Sequence, residues 1–308
     1  MMKQTEQLHD QSWEAVNTVA RPEEVEDYLF ALVMNKIGIP ADSRRVAWLR
    51  RIFKRIVSGV AETAAAFDET VGRQGFQISS RDWLQKWVSA LKIRGEEYLP
   101  ADEPLIVAAN HPGTFDSLAV ASILPRDDLK IVTAGNPFFR SLPNTREYLI
   151  YATNDSYVRM ATIRKALRHL GSGGSLLLFP SGKLDPDPEY FLREARQSLA
   201  RWSESLEFFL RKAPQSKLVI AINSGFVAPE FLRNPLLRLH PVKITRQYIA
   251  EFFQVINLLI NNRMVSNQPQ VTFSEPFSLA ELSKISGGFQ DRIQTVAANL
   301  LEINAIAE

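Results

Sequence analysis

The hydrophobic pattern changes character once along this chain, near Lys92. Before it, apolar positions recur three and four residues apart, the spacing of amphipathic helices. Pro22, followed by Glu23 and Glu24, suits a helix's first turn, where proline's missing N–H costs nothing and acidic groups meet the positive end of the dipole. Asp42 is placed to cap the next helix, which would bury Val46, Leu49, Ile52, Phe53, Ile56 and Val57. Ser80 is placed to cap another, with Trp83, Leu84, Trp87, Val88 and Leu91 as its buried stripe. With the short break Gly38-Ile39-Pro40, this predicts a small antiparallel helical bundle over residues 1–92.

From Ile93 onward, short apolar runs alternate with helical stretches. Leu105–Ala109, Leu129–Thr133, Tyr148–Ala152, Ser175–Phe179 and Leu218–Asn223 read as buried strands, and Met160–Leu170 and Tyr190–Lys212 as amphipathic helices. The alternation predicts an α/β fold over 93–308, a mixed, largely parallel sheet flanked by helices. Gly171-Ser172-Gly173-Gly174 follows a helix and precedes a strand, so it reads as a helix C-cap and turn rather than a phosphate loop. The apolar run Phe252–Ile260 reads as core, with a lipid-facing surface or an acyl tunnel as the alternative.

Composition narrows the chemistry. The 308 residues are 45% hydrophobic and 23% charged, ordinary values for a folded protein with a sizeable core. A formal charge of +2 gives no reason to expect a nucleic-acid partner. The chain has no cysteine, which excludes disulfides, thiolate nucleophiles and Cys-based zinc sites. It has four histidines (His9, His111, His169 and His240), none at metal-ligand spacing, so no metal is expected. The N-terminus lacks the apolar core of a signal peptide, and no apolar window is long enough to span a bilayer. The expectation is a cytoplasmic protein, with peripheral membrane contact left open.

One segment carries chemistry. Asn110-His111-Pro112-Gly113-Thr114-Phe115-Asp116-Ser117-Leu118 follows the strand 105–109 and leads into the helical run Leu118–Leu124. Thr114 is a plausible N-cap, which would put Asp116 in the first turn and His111 at the carboxyl end of a strand, where open α/β sheets bind ligands. A carboxylate reaching one imidazole nitrogen fixes the tautomer and leaves the other free to accept a proton. A hydroxyl group is a weak nucleophile near neutral pH and needs such a base. Spacing alone also allows a histidine that merely caps a strand end.

The stretch Gly95–Pro100, followed by Pro104–His111 and Asp116, closely resembles the first motif of the glycerolipid acyltransferase family. Leu178-Phe179-Pro180-Ser181-Gly182-Lys183 resembles its third motif. The likeness is strongest to the plastid-type soluble glycerol-3-phosphate acyltransferases, whose Pro-Ser-Gly is followed by Asp and Pro, as here at Asp185-Pro186-Asp187-Pro188. Asn223–Pro229 and Val271–Phe277 are similar to that subgroup, and so is an N-terminal helical bundle.

The resemblance implies that His111 deprotonates an acceptor hydroxyl while Asp116 orients it. The hydroxyl then attacks the thioester of acyl carrier protein or coenzyme A directly. No cofactor is implied beyond this acyl co-substrate. Asn110, Thr114, Ser181 and Gly182 are implied substrate-binding residues, with amides around Ser181-Gly182 offered to a developing oxyanion. Lys183, Arg159, Arg140 and Arg146 are the candidates for an acceptor phosphate. Two departures touch that phosphate. Thr153-Asn154-Asp155 stands where plastid-type enzymes carry Lys-His, and Lys183 alone replaces their two arginines after Pro-Ser-Gly. Glycerol 3-phosphate leads as acceptor, with lysophosphatidic acid or another headgroup as the alternative.

Arg44, Arg45, Arg50, Arg51, Lys54 and Arg55 give the helix after Asp42 a basic face. It reads as a solvated surface, or as a dock for an acidic carrier protein or anionic lipid. Two other classes stay open: a hydrolase using Ser181, which lacks a Gly-x-Ser-x-Gly elbow, and a non-catalytic lipid or carrier-protein binding module.

Overall fold

Strands made only of aliphatic and small residues are expected to be buried on both faces, and the computed structural model arranges them that way. It describes residues 19–36, 47–152, 155–202, 204–234, 237, 242–261, 264–284 and 288–306. The strands are β1 (Lys92–Arg94), β2 (Leu105–Ala109), β3 (Leu129–Ala134), β4 (Leu149–Ala152), β5 (Ser175–Leu178), β6 (Lys217–Ser224) and β7 (Gln270–Phe273). The longer helices are α1 (Pro22–Lys36), α2 (Ala47–Gln74), α3 (Phe76–Trp87), α4 (Asp116–Ile123) and α5 (Ser156–Gly171). They continue with α6 (Pro188–Ser198), α7 (Ser205–Lys212), α8 (Lys243–Asn261), α9 (Leu279–Lys284) and α10 (Phe289–Ile306).

The strands form one seven-stranded sheet in the order β1-β7-β6-β2-β5-β3-β4. From β6 to β4 all neighbours are parallel; β7 runs antiparallel to β6, and β1 parallel to β7. This is the mixed, largely parallel α/β sheet expected. Each strand deals alternate side chains to opposite faces. Leu105, Val107 and Ala109 pack with Phe67, Phe76, Trp83, Trp87 and Val120 on one side. Ile106 and Ala108 pack with Ala166, Leu170, Leu210 and Leu301 on the other. One face therefore lies under α2, α3 and α4, and the helices before Lys92 share a core with strands after it. Trp87 also reaches Phe115, their ring centroids 4.5 Å apart.

The five predicted strands form, with ends moved by one residue at most. β1 and β7 were not predicted: β1 is three exposed residues, Lys92-Ile93-Arg94, with no alternation to reveal it. Helix α3 starts at Phe76, so Ser80 is a buried interior residue rather than a cap. Gly75, at φ +85°, separates it from α2, and the Gln77 N–H donates to the Asp127 carboxylate at 2.8 Å. A cap delivered from fifty residues away leaves no local signature. The stretch 190–212 is two helices, because Phe191 leaves helical geometry and a 3-10 turn at Leu199–Arg201 leads into buried, extended Trp202. In the 252–260 run, Leu258 is buried, while Phe253 and Ile260 are about two-fifths exposed.

Gly171–Gly174 ends α5 in a turn, with the Gly174 N–H donating to His169 O and Gly173 at φ +91°. His169 closes the same helix, its Nε2 at 2.8 Å from Asp128 O. Among the described residues no helix is long and apolar enough to cross a membrane. His9, Gly38-Ile39-Pro40, Asp42, Arg44, Arg45, Val46, Thr153, Asn154 and His240 lie outside the described residues. So do the side chains of Leu49, Arg50, Arg51, Ile52 and Arg55.

Candidate active site

The parallel strands all end at one edge of the sheet, and the loops leaving them line up there in sheet order. His111 follows β2, at the middle. The Ser181–Asp187 loop follows β5 on one side, and the Gly225–Val227 loop follows β6 on the other.

The imidazole and its carboxylate meet as the spacing suggested. His111 Nδ1 lies 2.8 Å from Asp116 Oδ2 and 3.1 Å from Oδ1. The Asp116 side chain is fully buried, whereas the His111 ring keeps 26% of its surface open. Phe179 stacks on that ring, centroids 4.3 Å apart. Nδ1 is thus the donor to Asp116, and Nε2 has no hydrogen-bond partner among the described residues.

The helix behind this pair begins differently from expectation. Its N-cap is Phe115, without a side-chain cap bond. Thr114 is exposed, and its N–H donates to Glu251 Oε1 on α8 at 2.8 Å. The Thr114 hydroxyl is not needed as a cap because Asp116 turns back on the loop, accepting from the Gly113 N–H at 3.3 Å. Gly113 is small for the sake of the protein itself: a Cβ there would stand 3.3 Å from Phe226 Cβ and 3.7 Å from Glu251 Cγ.

Three loop amides therefore end on three carboxylates from separate parts of the chain. His111 N–H donates to Asp185 at 3.1 Å, Gly113 to Asp116, and Thr114 to Glu251. All three acids are buried. Burial alone disfavours the His111 cation, but Asp116, Glu251 and Asp185 together outweigh it and raise the imidazole above its ordinary pKa. Asp185 and Glu251 are themselves pushed up, chiefly by burial.

The remaining candidates fall into distinct places. Asn110 is buried and fully engaged with Asn223: its Oδ1 accepts the Asn223 N–H at 2.7 Å and its Nδ2 donates to Asn223 O at 2.8 Å. Ser181 Oγ lies 2.8 Å from Asp185 Oδ2 and 2.7 Å from Lys183 O. Gly182, at φ +66°, makes the turn, and its N–H already donates to Phe179 O at 3.0 Å. That corrects the expectation that the Gly182 amide is free for an oxyanion. Lys183 is exposed beside it.

Arg140 follows β3 and Arg159 lies in the first turn of α5, after β4, so both sit on the histidine's edge. Arg140 is 3.6 Å from Glu24 on α1. Arg146 is not brought together with them. It precedes β4, and its neighbour Glu147 accepts through its carbonyl from Lys130, near the start of β3, which places it at the opposite edge of the sheet.

Sequence reasoning missed Asp185 as a site residue, although it lies inside the quoted Pro-Ser-Gly segment, and missed Arg201, whose Nη2 is 3.4 Å from Asp185 Oδ1. Glu251 and Gln247 had no motif to mark them, because one helix far along the chain supplies both.

Residues 90–218, which include the His111–Asp116 pair and the Ser181–Asp185 loop, match the family model described as Acyltransferase. The match takes in 129 of the 308 residues and supports an acyltransferase enzyme. A similar solved structure is the crystal structure of the 1-acyl-sn-glycerophosphate (LPA) acyltransferase PlsC from Thermotoga maritima. It matches over 100% of both chains at 14% identity, with a TM-score of 0.47. No curated protein matches the chain.

Proposed function

We propose that this acyltransferase moves a fatty acyl group from an acyl carrier protein or coenzyme A thioester to a glycerol 3-phosphate hydroxyl, with His111 as general base. The observation that carries the reading is the His111 Nδ1–Asp116 Oδ2 contact of 2.8 Å, on a ring whose other nitrogen has no hydrogen-bond partner among the described residues. With Nδ1–H held by the carboxylate, Nε2 presents its lone pair to the incoming hydroxyl. As the proton moves to Nε2, the oxygen attacks the thioester carbonyl carbon. Collapse of the tetrahedral intermediate breaks the C–S bond, and the thiolate recovers the proton from the imidazolium. The three surrounding carboxylates favour that imidazolium as it forms. No acyl-enzyme and no cofactor are needed.

For an acceptor phosphate, Lys183, Arg140 and Arg159 are the cations on the histidine's edge, with Arg201 beside Asp185. Lysophosphatidic acid would present the same phosphate and hydroxyl chemistry and fits this set comparably. Peripheral contact with an anionic membrane would suit either acceptor.

The test offers the purified protein acyl-carrier-protein and coenzyme A thioesters against a panel of acceptors, and identifies the lipid product by mass. Acylated glycerol 3-phosphate, lost in His111→Ala, is the expected result. Thioester hydrolysis that runs at full rate without acceptor, or turnover untouched by His111→Ala, would overturn the reading.

A further inference from the structure

Helix α8 carries three polar residues on its buried side, where a helix packed on a core ordinarily offers apolar ones. Gln247, Glu251 and Gln254 recur at four- and three-residue spacing, which puts them on one face, and each is at most 7% exposed. Together they grip all three loops of the reactive edge. Gln247 Nε2 donates to Pro112 O at 3.0 Å and to Asp185 O at 2.9 Å, while its Oε1 accepts from the Asp187 N–H at 2.8 Å. Gln254 bridges the loop after β6, accepting from the Ala228 N–H and donating to Phe226 O at 2.8 Å. Next to Gln247 on the helix, the Tyr248 hydroxyl donates to Leu184 O at 2.7 Å.

The glutamines satisfy buried main-chain groups without charge, so packing alone accounts for them. Glu251 is different. Its carboxylate accepts from the Thr114 N–H at 2.8 Å and also bonds the Thr114 side chain, and no cation is paired with it among the described residues. A buried carboxylate costs more than an amide and calls for a reason. Its charge is felt by His111, three residues before Thr114.

We propose that Glu251 is a positioning residue of the acyl-transfer centre: from α8 it fixes the Thr114 end of the histidine loop and supplies a third negative charge to the imidazolium. This rests on His111 being the general base. The other charged groups facing that ring are Asp116 on α4 and Asp185 after β5, the latter beside Arg201. Asp116 orients the ring directly, and Asp185 holds its main chain. Glu251 acts through the loop and through its field, so it is not itself a catalytic residue.

The experiment compares Glu251→Gln and Glu251→Asp with the full-length protein. It follows turnover of palmitoyl-CoA with whichever acceptor supports activity, from pH 5 to 9, with thermal unfolding as a control. Glu251→Gln keeps the acceptor oxygen and removes the charge. Its KM is expected to stay unchanged and the acidic limb of kcat/KM to move down by about one pH unit. Glu251→Asp keeps the charge and shortens the reach, so its limb is expected to stay and its kcat to fall on the order of tenfold. A Glu251→Gln limb that coincides with wild type overturns the proposal. If Glu251→Gln does not fold, a Glu251→Asp limb displaced as far as one unit, or an unchanged kcat, overturns it instead. His111→Ala is run alongside: an active His111→Ala sinks the base assignment itself, whereas an inactive one with an unmoved Glu251→Gln limb sinks only the role of Glu251.

Discussion

The main chain of His111 is clasped by Asp185. The His111 N–H donates to the Asp185 carboxylate at 3.1 Å, and the Asp185 N–H donates to His111 O at 2.7 Å. The reactive loop after β2 and the Pro-Ser-Gly loop after β5 are thereby one unit, so the imidazole cannot shift without the loop beside it. Ser181 is part of the clasp through its own contact with Asp185. Asp185→Ala removes the acceptor of a buried amide and frees both loops. The expected outcome is a destabilisation of about 2 kcal/mol and a fall in kcat on the order of tenfold, read from denaturant unfolding and steady-state turnover. Full activity with the predicted stability loss would show that the clasp matters to folding alone.

Removing the base or its orienter should cost rate far more than binding. His111→Ala is expected to lower kcat by on the order of 10²-fold or more, and Asp116→Asn by a comparable factor, because an asparagine lets the ring adopt the wrong tautomer. Isothermal titration with a non-hydrolysable acyl-CoA analogue should give donor affinity within a few-fold of wild type.

The pH dependence has a definite sign. The base works unprotonated, and His111 is held above the ordinary histidine value, so protonation persists to higher pH than for an isolated imidazole. Activity should therefore fade as pH drops, with the acidic limb of kcat/KM lying above about 6.5. Asp116→Asn removes the nearest negative charge, and its residual activity should show that limb at lower pH. A wild-type limb below 6 would contradict the arrangement of carboxylates.

Asn110 separates a structural from a binding role. Its amide extends the β2–β6 pairing past the strand ends, and Asn223 Nδ2 returns a bond to Asn110 O at 2.9 Å. Asn110→Ala leaves the buried Asn223 main chain unpaired and should cost about 2–3 kcal/mol of stability. A variant as stable as wild type with a KM raised tenfold would restore Asn110 to the substrate.

Leu177, fully buried at the centre of β5 between β2 and β3, tests the sheet away from chemistry. Leu177→Ala is expected to lose about 3 kcal/mol in denaturant unfolding, while kcat of the folded fraction stays near wild type.

Much of this was legible from residue order, for local reasons. The strand runs at 105–109, 175–179 and 218–223 announce themselves because a strand buried on both faces is apolar along most of its length. Asp116 lies five residues from His111 with a proline and a glycine between, so a single tight turn brings carboxylate to ring. The helix caps were less visible. Asp127 serves α3 from another loop, and Thr114 turns to Glu251 on a distant helix instead of capping its own. The arginines were least legible, since only strand direction shows that Arg140 and Arg159 leave the sheet at the histidine's edge and Arg146 enters at the other.

Residue order alone thus determined five of the seven sheet strands and the imidazole–carboxylate pair, because both depend on periodicity and on neighbours within one turn. Tertiary structure decided which acids surround that pair. Asp185 and Glu251 stand 74 and 140 positions beyond His111, and a charge's effect depends on distance in space, which only the packing of α8 and the β5 loop against the histidine loop could set.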